Sequence, residues 1–204
     1  MPEANTDLFP VGVEPLEAFF ARTPKLAVAL SGGVDSCCLL AAAVRAGCEV
    51  HAYMVKTAFQ AGADLLDACA AAEALSVPLT VLDLDILREP TICENSPNRC
   101  YWCKTFIFEN IKAAMACDGF SVLADGTNAS DNPARRPGFR ALAEQGIVSP
   151  LRRAGFTKDQ VRELASTLGV ATAQKQSFSC YAVHVPQGTY LTAQALEAAA
   201  RSLS

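Results

Sequence analysis

Unbroken apolar runs alternate with helix-period segments along most of this chain. Leu26-Ala27-Val28-Ala29-Leu30 is apolar throughout, as a strand buried on both faces requires. Val50 to Val55, Leu79 to Leu82 and Ser121 to Ala124 read as further strands. Between them, helical patterns run from Ser36 towards Ala46, closed by Gly47, from Ala63 to Leu75 and from about Thr105 to Met115. Glu14 to Phe20 reads as a short helix with proline in its first turn. Thr157-Lys158-Asp159-Gln160 has the spacing of a capping box and opens a helix to Leu168, and Thr192 caps a last helix. The stretch from Cys93 to Cys103 reads as a loop. Strands alternating with helices predict βαβ units, and therefore a doubly wound, five-stranded parallel α/β sheet. The organisation expected is an N-terminal arm and short helix over 1–24, the α/β domain over 25–176 and a short C-terminal extension over 177–204.

Such sheets bind ligands beyond the carboxyl ends of their strands, where the strand order reverses. Two polar turns leave strands at that edge: Ser31-Gly32-Gly33-Val34-Asp35-Ser36 after the first strand, and Asp125-Gly126-Thr127-Asn128 after the fourth. In the first, glycines let the backbone turn sharply and bring N–H groups close to phosphate oxygens. The helix that follows adds roughly half a positive charge at its N-terminus. Ser31 and Ser36 can donate hydroxyls, and Asp35 can hold Mg²⁺ on the phosphates. A kinase-type loop would carry Gly-Lys-Ser/Thr and a dinucleotide loop Gly-x-Gly-x-x-Gly; neither is present. A plain capped turn accounts for Asp35-Ser36 but not for the whole hexapeptide.

Charge and cysteine content narrow the class. The net charge of −4 argues against a general nucleic-acid binder. No apolar run approaches the ~20 residues that span a bilayer, and Met1-Pro2-Glu3-Ala4-Asn5 has no signal-peptide character, so a cytoplasmic protein without membrane partners is expected. Nine cysteines, an odd number, do not suit a closed disulfide framework. Cys37, Cys38, Cys48, Cys69 and Cys117 sit in apolar, Ala-rich contexts and read as small hydrophobes. Cys100-Tyr101-Trp102-Cys103 is a CxxC, which by itself is open between a redox pair, a zinc half-site and an iron–sulfur half-site. A structural zinc needs four ligands, for which Cys180, Cys93 and His184 are available; a three-cysteine [4Fe–4S] site would use Cys100, Cys103 and Cys180 and leave one iron open. Arg135, Arg136, Arg140, Arg152, Arg153 and Lys158 crowd one segment, either as a solvated surface or with Arg136 and Arg140 facing an anionic substrate; Lys104 could serve likewise.

The hexapeptide after a first strand resembles the signature of the PP-loop ATP pyrophosphatases, and Asp125, Gly126 and Thr127 match the second turn of that site. The resemblance implies that Ser31, Gly32, Gly33, Val34, Asp35 and Ser36 hold the pyrophosphate of ATP with Mg²⁺ while a substrate oxygen attacks the α-phosphate. A nitrogen or sulfur nucleophile then releases AMP. Arg136-Pro137-Gly138-Phe139-Arg140-Ala141-Leu142, Val148-Ser149-Pro150-Leu151, Phe156 to Leu164, and Cys180 ahead of Pro186-Gln187-Gly188-Thr189 further resemble the LarE family, over about Leu26 to Thr192. LarE proteins are ATP-dependent sulfur transferases of nickel-pincer nucleotide synthesis.

In one form of that family a lone cysteine at the position of Cys180 gives up its own sulfur. In the other it joins a CxxC to hold a [4Fe–4S] cluster, and the presence of Cys100, Cys103 and Cys180 resembles this second form. Catalytic roles for Cys180, Asp35 and Ser36 follow from the resemblance, with a small anionic carboxylate or nucleotide as substrate and a sulfur donor as partner. His184 and Gln187 stand where the family usually has arginine and tyrosine. Family chains also continue past the position of Ser204 into a small domain that contributes substrate-phosphate and oligomer contacts, which a partner subunit or homo-oligomer could supply. The resemblance therefore carries the ATP and cluster chemistry further than the substrate. The rivals are a tRNA thiolase of the same superfamily, an ammonia-dependent amide-forming ligase and a non-catalytic ATP-binding module.

Overall fold

Side chains alternate across a pleated strand, so each strand of a two-faced sheet feeds two cores. In the computed structural model, which describes residues 10–133 and 137–203, β1 (Lys25–Ala29) sends Leu26 and Val28 into one core and Ala27 into the other. β2 (Glu49–Lys56) divides in the same way, with Val50, Ala52 and Met54 against Tyr53 and Val55. With β3 (Leu79–Asp83) and β4 (Leu123–Ala124) they form a parallel sheet in the order β3-β2-β1-β4, Ala27 standing opposite both His51 and Leu123.

The described sheet thus has four strands rather than the five expected. After β4 the chain returns at Val148 but makes only an isolated parallel bridge to Ala124. Val148 donates to the Leu123 carbonyl and receives Asp125 N–H, at 3.0 and 2.9 Å. Pro150 then has no N–H with which to extend the ladder and instead opens a short helix.

In chain order the helices are α1 (Leu16–Arg22), α2 (Val34–Arg45), α3 (Gly62–Ala74), α4 (Pro90–Cys93), α5 (Arg99–Cys117), α6 (Gly138–Glu144), α7 (Pro150–Arg153), α8 (Lys158–Thr167) and α9 (Ala193–Arg201). The first core joins one sheet face to α1, α2, α3 and α8; the second joins the opposite face to α5 and α6. Helices therefore cover both faces. α2 is apolar nearly all round, from Cys37 to Ala43, because it lies between the sheet and α8. α8 starts as its sequence dictates: Thr157 accepts from Gln160 N–H while the Gln160 side chain accepts from Thr157 N–H, a capping box. Thr192 caps α9 by accepting from Ala195 N–H at 3.2 Å.

The C-terminal segment closes a smaller core in which Ala182, Leu191 and Leu196 meet Phe59, Ile86 and Cys93. Its backbone is stitched down by Tyr181 N–H to Phe59 and Leu191 N–H to Cys93. Three sequence expectations change here. Cys93 is helical and buried rather than in a polar loop. Cys100 and Cys103 lie on the first turns of α5, because the helix begins at Arg99, whose buried guanidinium is tied to Asn95 and to the Ala182 carbonyl. Cys37 and Cys38 are core residues, but Cys69 and Cys117 are exposed, on the outer faces of α3 and α5. Among the described residues no helix is long and apolar enough to cross a membrane.

Candidate functional site at the strand-order switch

β1 lies between β2 and β4, so the loops leaving β1 and β4 part on opposite sides of the reversal in strand order and open a crevice. That crevice is a cleft of about 580 Å³, lined by Ser31, Asp35 and Ser36 from the first loop, and Asp125 to Asn128 from the second. Tyr53, Lys104, Ile107 and Phe108 supply a wall on the α5 side.

The Ser31–Ser36 loop is held by its own hydroxyls. Ser36 Oγ accepts from Ser31 N–H, lies 3.0 Å from Ser31 Oγ and donates to the Gly33 carbonyl at 3.2 Å. Gly33, the residue before α2, offers no capping side chain, which leaves the first N–H groups of the helix unblocked from that side. Gly32 has φ +74°, and a Cβ there would stand 2.0 Å from the Asp64 carbonyl oxygen of α3. At Gly126 a Cβ would come within 2.6 Å of Ser36 N. The two turns therefore touch backbone to backbone, and only glycine permits it.

Asp125 is buried and fully engaged. It accepts from Ser149 Oγ at 2.6 Å and from the hydroxyl and N–H of Thr127 at 2.5 and 3.3 Å. It shapes the turn from within the cleft lining. Asp35 faces the cleft, with Oδ1 accepting from Asn128 Nδ2 at 3.1 Å and Oδ2 from Lys158 Nζ at 2.5 Å. Arg152 is buried and braces the second turn by donating to the carbonyls of Asn128 and Asp131 at 3.2 and 2.8 Å.

The three cysteines singled out in the sequence come from two segments, the start of α5 and the turn before Tyr181–His184. Burial pushes the Cys103 thiol up to about 12, against the pull of Lys104 and with the added push of Cys180 and Cys100. Burial raises the Cys180 thiol too, opposed by the charge of Arg99. The three sulfurs are thus within electrostatic reach of one another. Arg99 ties the two segments together, donating to Cys100 Sγ at 3.4 Å and to the Ala182 carbonyl. Among the described residues, however, no three His, Cys, Asp or Glu side chains stand close enough to share one metal ion.

Of the expected substrate-facing cations, Lys104 lines the cleft, with Nζ over the Phe108 ring. Arg140 does not: its guanidinium stacks 3.7 Å from the Tyr101 ring centre and pairs with Glu144, while Tyr101 OH donates to the same carboxylate. Arg136 lies outside the described residues. One group absent from the sequence-derived site, Lys158, lies in the cleft with Asp35. Lys158 looked like one member of a basic surface run, and its position one residue past a helix cap was the available signal.

No family model matches the chain. It is 31% identical over 170 residues to the pyridinium-3,5-bisthiocarboxylic acid mononucleotide synthase of Lactiplantibacillus plantarum, covering 82% of this chain and 62% of that protein. It is 28% identical over 191 residues to an uncharacterised protein of Synechocystis sp., covering 93% of this chain and 71% of the relative. Among solved structures, the NMN synthetase of Francisella tularensis superposes with a TM-score of 0.64 at 17% identity over 90% of this chain and 88% of the other, a likeness of fold. The chain thus spans about 62% to 71% of the length of these two sequence relatives. With its hexapeptide loop seated at the strand-order switch, the chain resembles the LarE-like branch of the PP-loop proteins in sequence and the NMN synthetase in fold.

Proposed function

We propose that this protein is an ATP-dependent sulfur transferase that adenylates a small carboxylate and replaces one of its oxygens by sulfur. The observation that carries the ATP half is the cleft onto which Asp35 opens from the unblocked start of α2, across from the Gly126 turn. Ser31 to Ser36 would cradle the β- and γ-phosphates, and Asp35 would exchange Lys158 for a Mg²⁺ carried by the triphosphate, one or two carboxylates being the usual protein share of such a site. Lys158, released, stays within reach of the phosphates, and Lys104 neutralises an anionic substrate on the opposite wall. A carboxylate oxygen then attacks the α-phosphorus, the bond to the bridging oxygen of the β-phosphate breaks, and pyrophosphate leaves. Attack of a sulfur nucleophile on the acyl carbon expels AMP.

For the sulfur half, the donor set suits an iron–sulfur cluster in kind: three soft thiols, none in a disulfide, from two segments that Arg99 joins. Cys100, Cys103 and Cys180 would hold it, and when bound it supplies an iron without a protein ligand at which sulfur can be delivered. Lys104 next to Cys103, and Phe178 two residues before Cys180, line the ATP cleft and connect the two halves. The L. plantarum relative's name supports a pyridinium carboxylate mononucleotide as the substrate class.

The test is an anaerobic preparation, assayed for iron and acid-labile sulfide, given ATP, a sulfide source and pyridinium dicarboxylate mononucleotide. Release of AMP and pyrophosphate with a product heavier by the difference between sulfur and oxygen is expected. ADP and phosphate as products would overturn the pyrophosphatase reading. AMP release that depends on tRNA would move the assignment to the thiolases.

A further inference from the structure

The segment that leads to Cys180 is fastened to the phosphate loop at one residue, Lys175. Its ammonium has three protons and three acceptors: Asp64 Oδ1 at 2.7 Å, Asp67 Oδ2 at 2.6 Å and the Gly32 carbonyl at 3.2 Å. Both carboxylates come from α3, against whose first turn Gly32 is packed. Burial alone would depress this ammonium, but the hydrogen bonds it donates to Asp64 and Asp67 more than reverse it, so the charge is retained.

Lys175 is also fixed from behind. Arg162 of α8 donates to the Ala173 and Lys175 carbonyls, each at 2.8 Å. The same helix begins at Lys158, which holds Asp35. The phosphate loop is thus gripped at both ends from one structural unit, at Asp35 by the start of α8 and at Gly32 by Lys175.

The Gly32 contact has a direct consequence for the loop. In a planar trans peptide the C=O of one residue and the N–H of the next point in opposite directions. Holding the Gly32 carbonyl towards α3 turns the Gly33 N–H the other way, where its one contact is a 3.5 Å approach to Ser31 Oγ. At that length the bond is weak, and a phosphate oxygen can replace it. Downstream of the same lysine, Ser177 and Phe178 line the cleft and Cys180 follows.

Resting on the proposed ATP chemistry, we infer that Lys175 is a positioning residue that aims Gly33 N–H at the nucleotide and couples nucleotide binding to the order of the Cys180 segment. Neither Asp64 nor Asp67 lines the cleft, so the network acts through the loop rather than on the ligand.

The test uses the full chain with Mg²⁺ and α,β-methylene ATP, which resists cleavage at the relevant bond, and follows hydrogen exchange by mass spectrometry. In the wild type the analogue should slow exchange both in 126–129 and in 176–183. Lys175→Met should weaken binding by about tenfold or more, the scale of a lost charged hydrogen bond. At saturation it should regain protection in 126–129 but not in 176–183. A merely structural ion pair would lower the melting temperature and leave the ligand-induced protection of 176–183 in place. Should Lys175→Met not fold, Lys175→Arg serves: the planar guanidinium can keep both carboxylates but not the third bond, and the same selective loss is expected. Unchanged affinity and retained protection of 176–183 would overturn the inference. A wild-type chain that binds no ATP analogue would overturn the ATP reading itself.

Discussion

Asp35 and Lys158, 123 positions apart in the chain, form an ion pair at 2.5 Å inside the cleft at the strand-order switch. Both side chains are about one quarter exposed, so the pair is open to an incoming ligand. A carboxylate at the start of α2 is favoured by the helix dipole, yet it stands where phosphates should bind, and the lysine balances it. Mg²⁺ and triphosphate together can replace that balance without leaving a charge unpaired.

The pair makes two substitutions separable. Asp35→Asn should cut AMP and pyrophosphate release on the order of 10²- to 10³-fold with the fold intact, since it removes the group assigned to the metal. Lys158→Met leaves Asp35 in place but removes a cation from the triphosphate, so it should raise KM for ATP more than Asp35→Asn does. Initial rates over an ATP and Mg²⁺ matrix check both. Near wild-type turnover in Asp35→Asn would contradict the assignment.

Gly126→Ala tests the backbone contact between the two turns. Its Cβ would meet Ser36 N at 2.6 Å and the Asp35 carbonyl carbon at 2.8 Å, both main-chain atoms that cannot swing aside. Overpacking of this kind costs about 1–3 kcal/mol, and each kcal/mol lowers Tm by about 2–4 °C in a chain of this size. Calorimetry should therefore show a fall of several degrees, and titration with an ATP analogue a loss of binding, because the displaced N–H groups belong to the phosphate loop. Gly62→Ala, where no atom lies within 4 Å of the added carbon and the backbone is not left-handed, serves as a comparison free of clash and strain.

Thiol reactivity should follow burial and charge. The raised Cys103 and Cys180 thiols bind their protons more tightly in the folded chain than unfolded, so any stability they lend is full below the ordinary thiol range. For Cys103 it is lost only as pH rises towards about 12. The thiolate is the reactive form. In metal-free protein at pH 8, iodoacetamide should label exposed Cys69 and Cys117 at least about tenfold faster than Cys103, and the Cys103 rate should keep climbing at higher pH. Peptide mapping of alkylated protein reads both. Equal rates for Cys69 and Cys103 at pH 8 would show that Cys103 is not protonated as its surroundings require.

The phosphate loop could be read from sequence because its chemistry is local: six consecutive residues, a strand before and a helix after. Thr157 and Thr192 were legible as caps for the same reason. Where a fifth strand would join the described sheet, Val148 makes a single bridge and is followed by Ser149 and by Pro150, which ends the ladder. The start of α5 was misplaced because it depends on Arg99 reaching a carbonyl 83 positions away, at Ala182. Arg140 and Lys158 show the same limit. Both are basic residues in one polar stretch, and only tertiary packing sends one onto Tyr101 and the other to Asp35.

Iron content gives the sharpest test of the sulfur chemistry. If Cys100, Cys103 and Cys180 hold a cluster, each single change to serine should remove most of the iron and acid-labile sulfide from anaerobically purified protein. Serine at Cys69 or Cys117 should leave both unchanged, because those side chains face solvent on the outer surfaces of α3 and α5. Cys37 and Cys38 make a stricter control. Burial raises both thiols, Cys38 to about 12, and they lie in the main core beneath the phosphate loop, so their serine variants should lose stability without losing iron per folded chain. Arg99→Met adds the structural link: it frees the Cys180 turn from the start of α5, so iron content should fall although no ligand has changed. Because thiols must lose their protons to bind metal, and Cys103 holds its proton tightly, reconstitution should release protons and proceed more completely at pH 8.5 than at pH 6.5. Stoichiometric zinc with no labile sulfide, retained in Cys180→Ser, would show that the third cysteine is not part of the site.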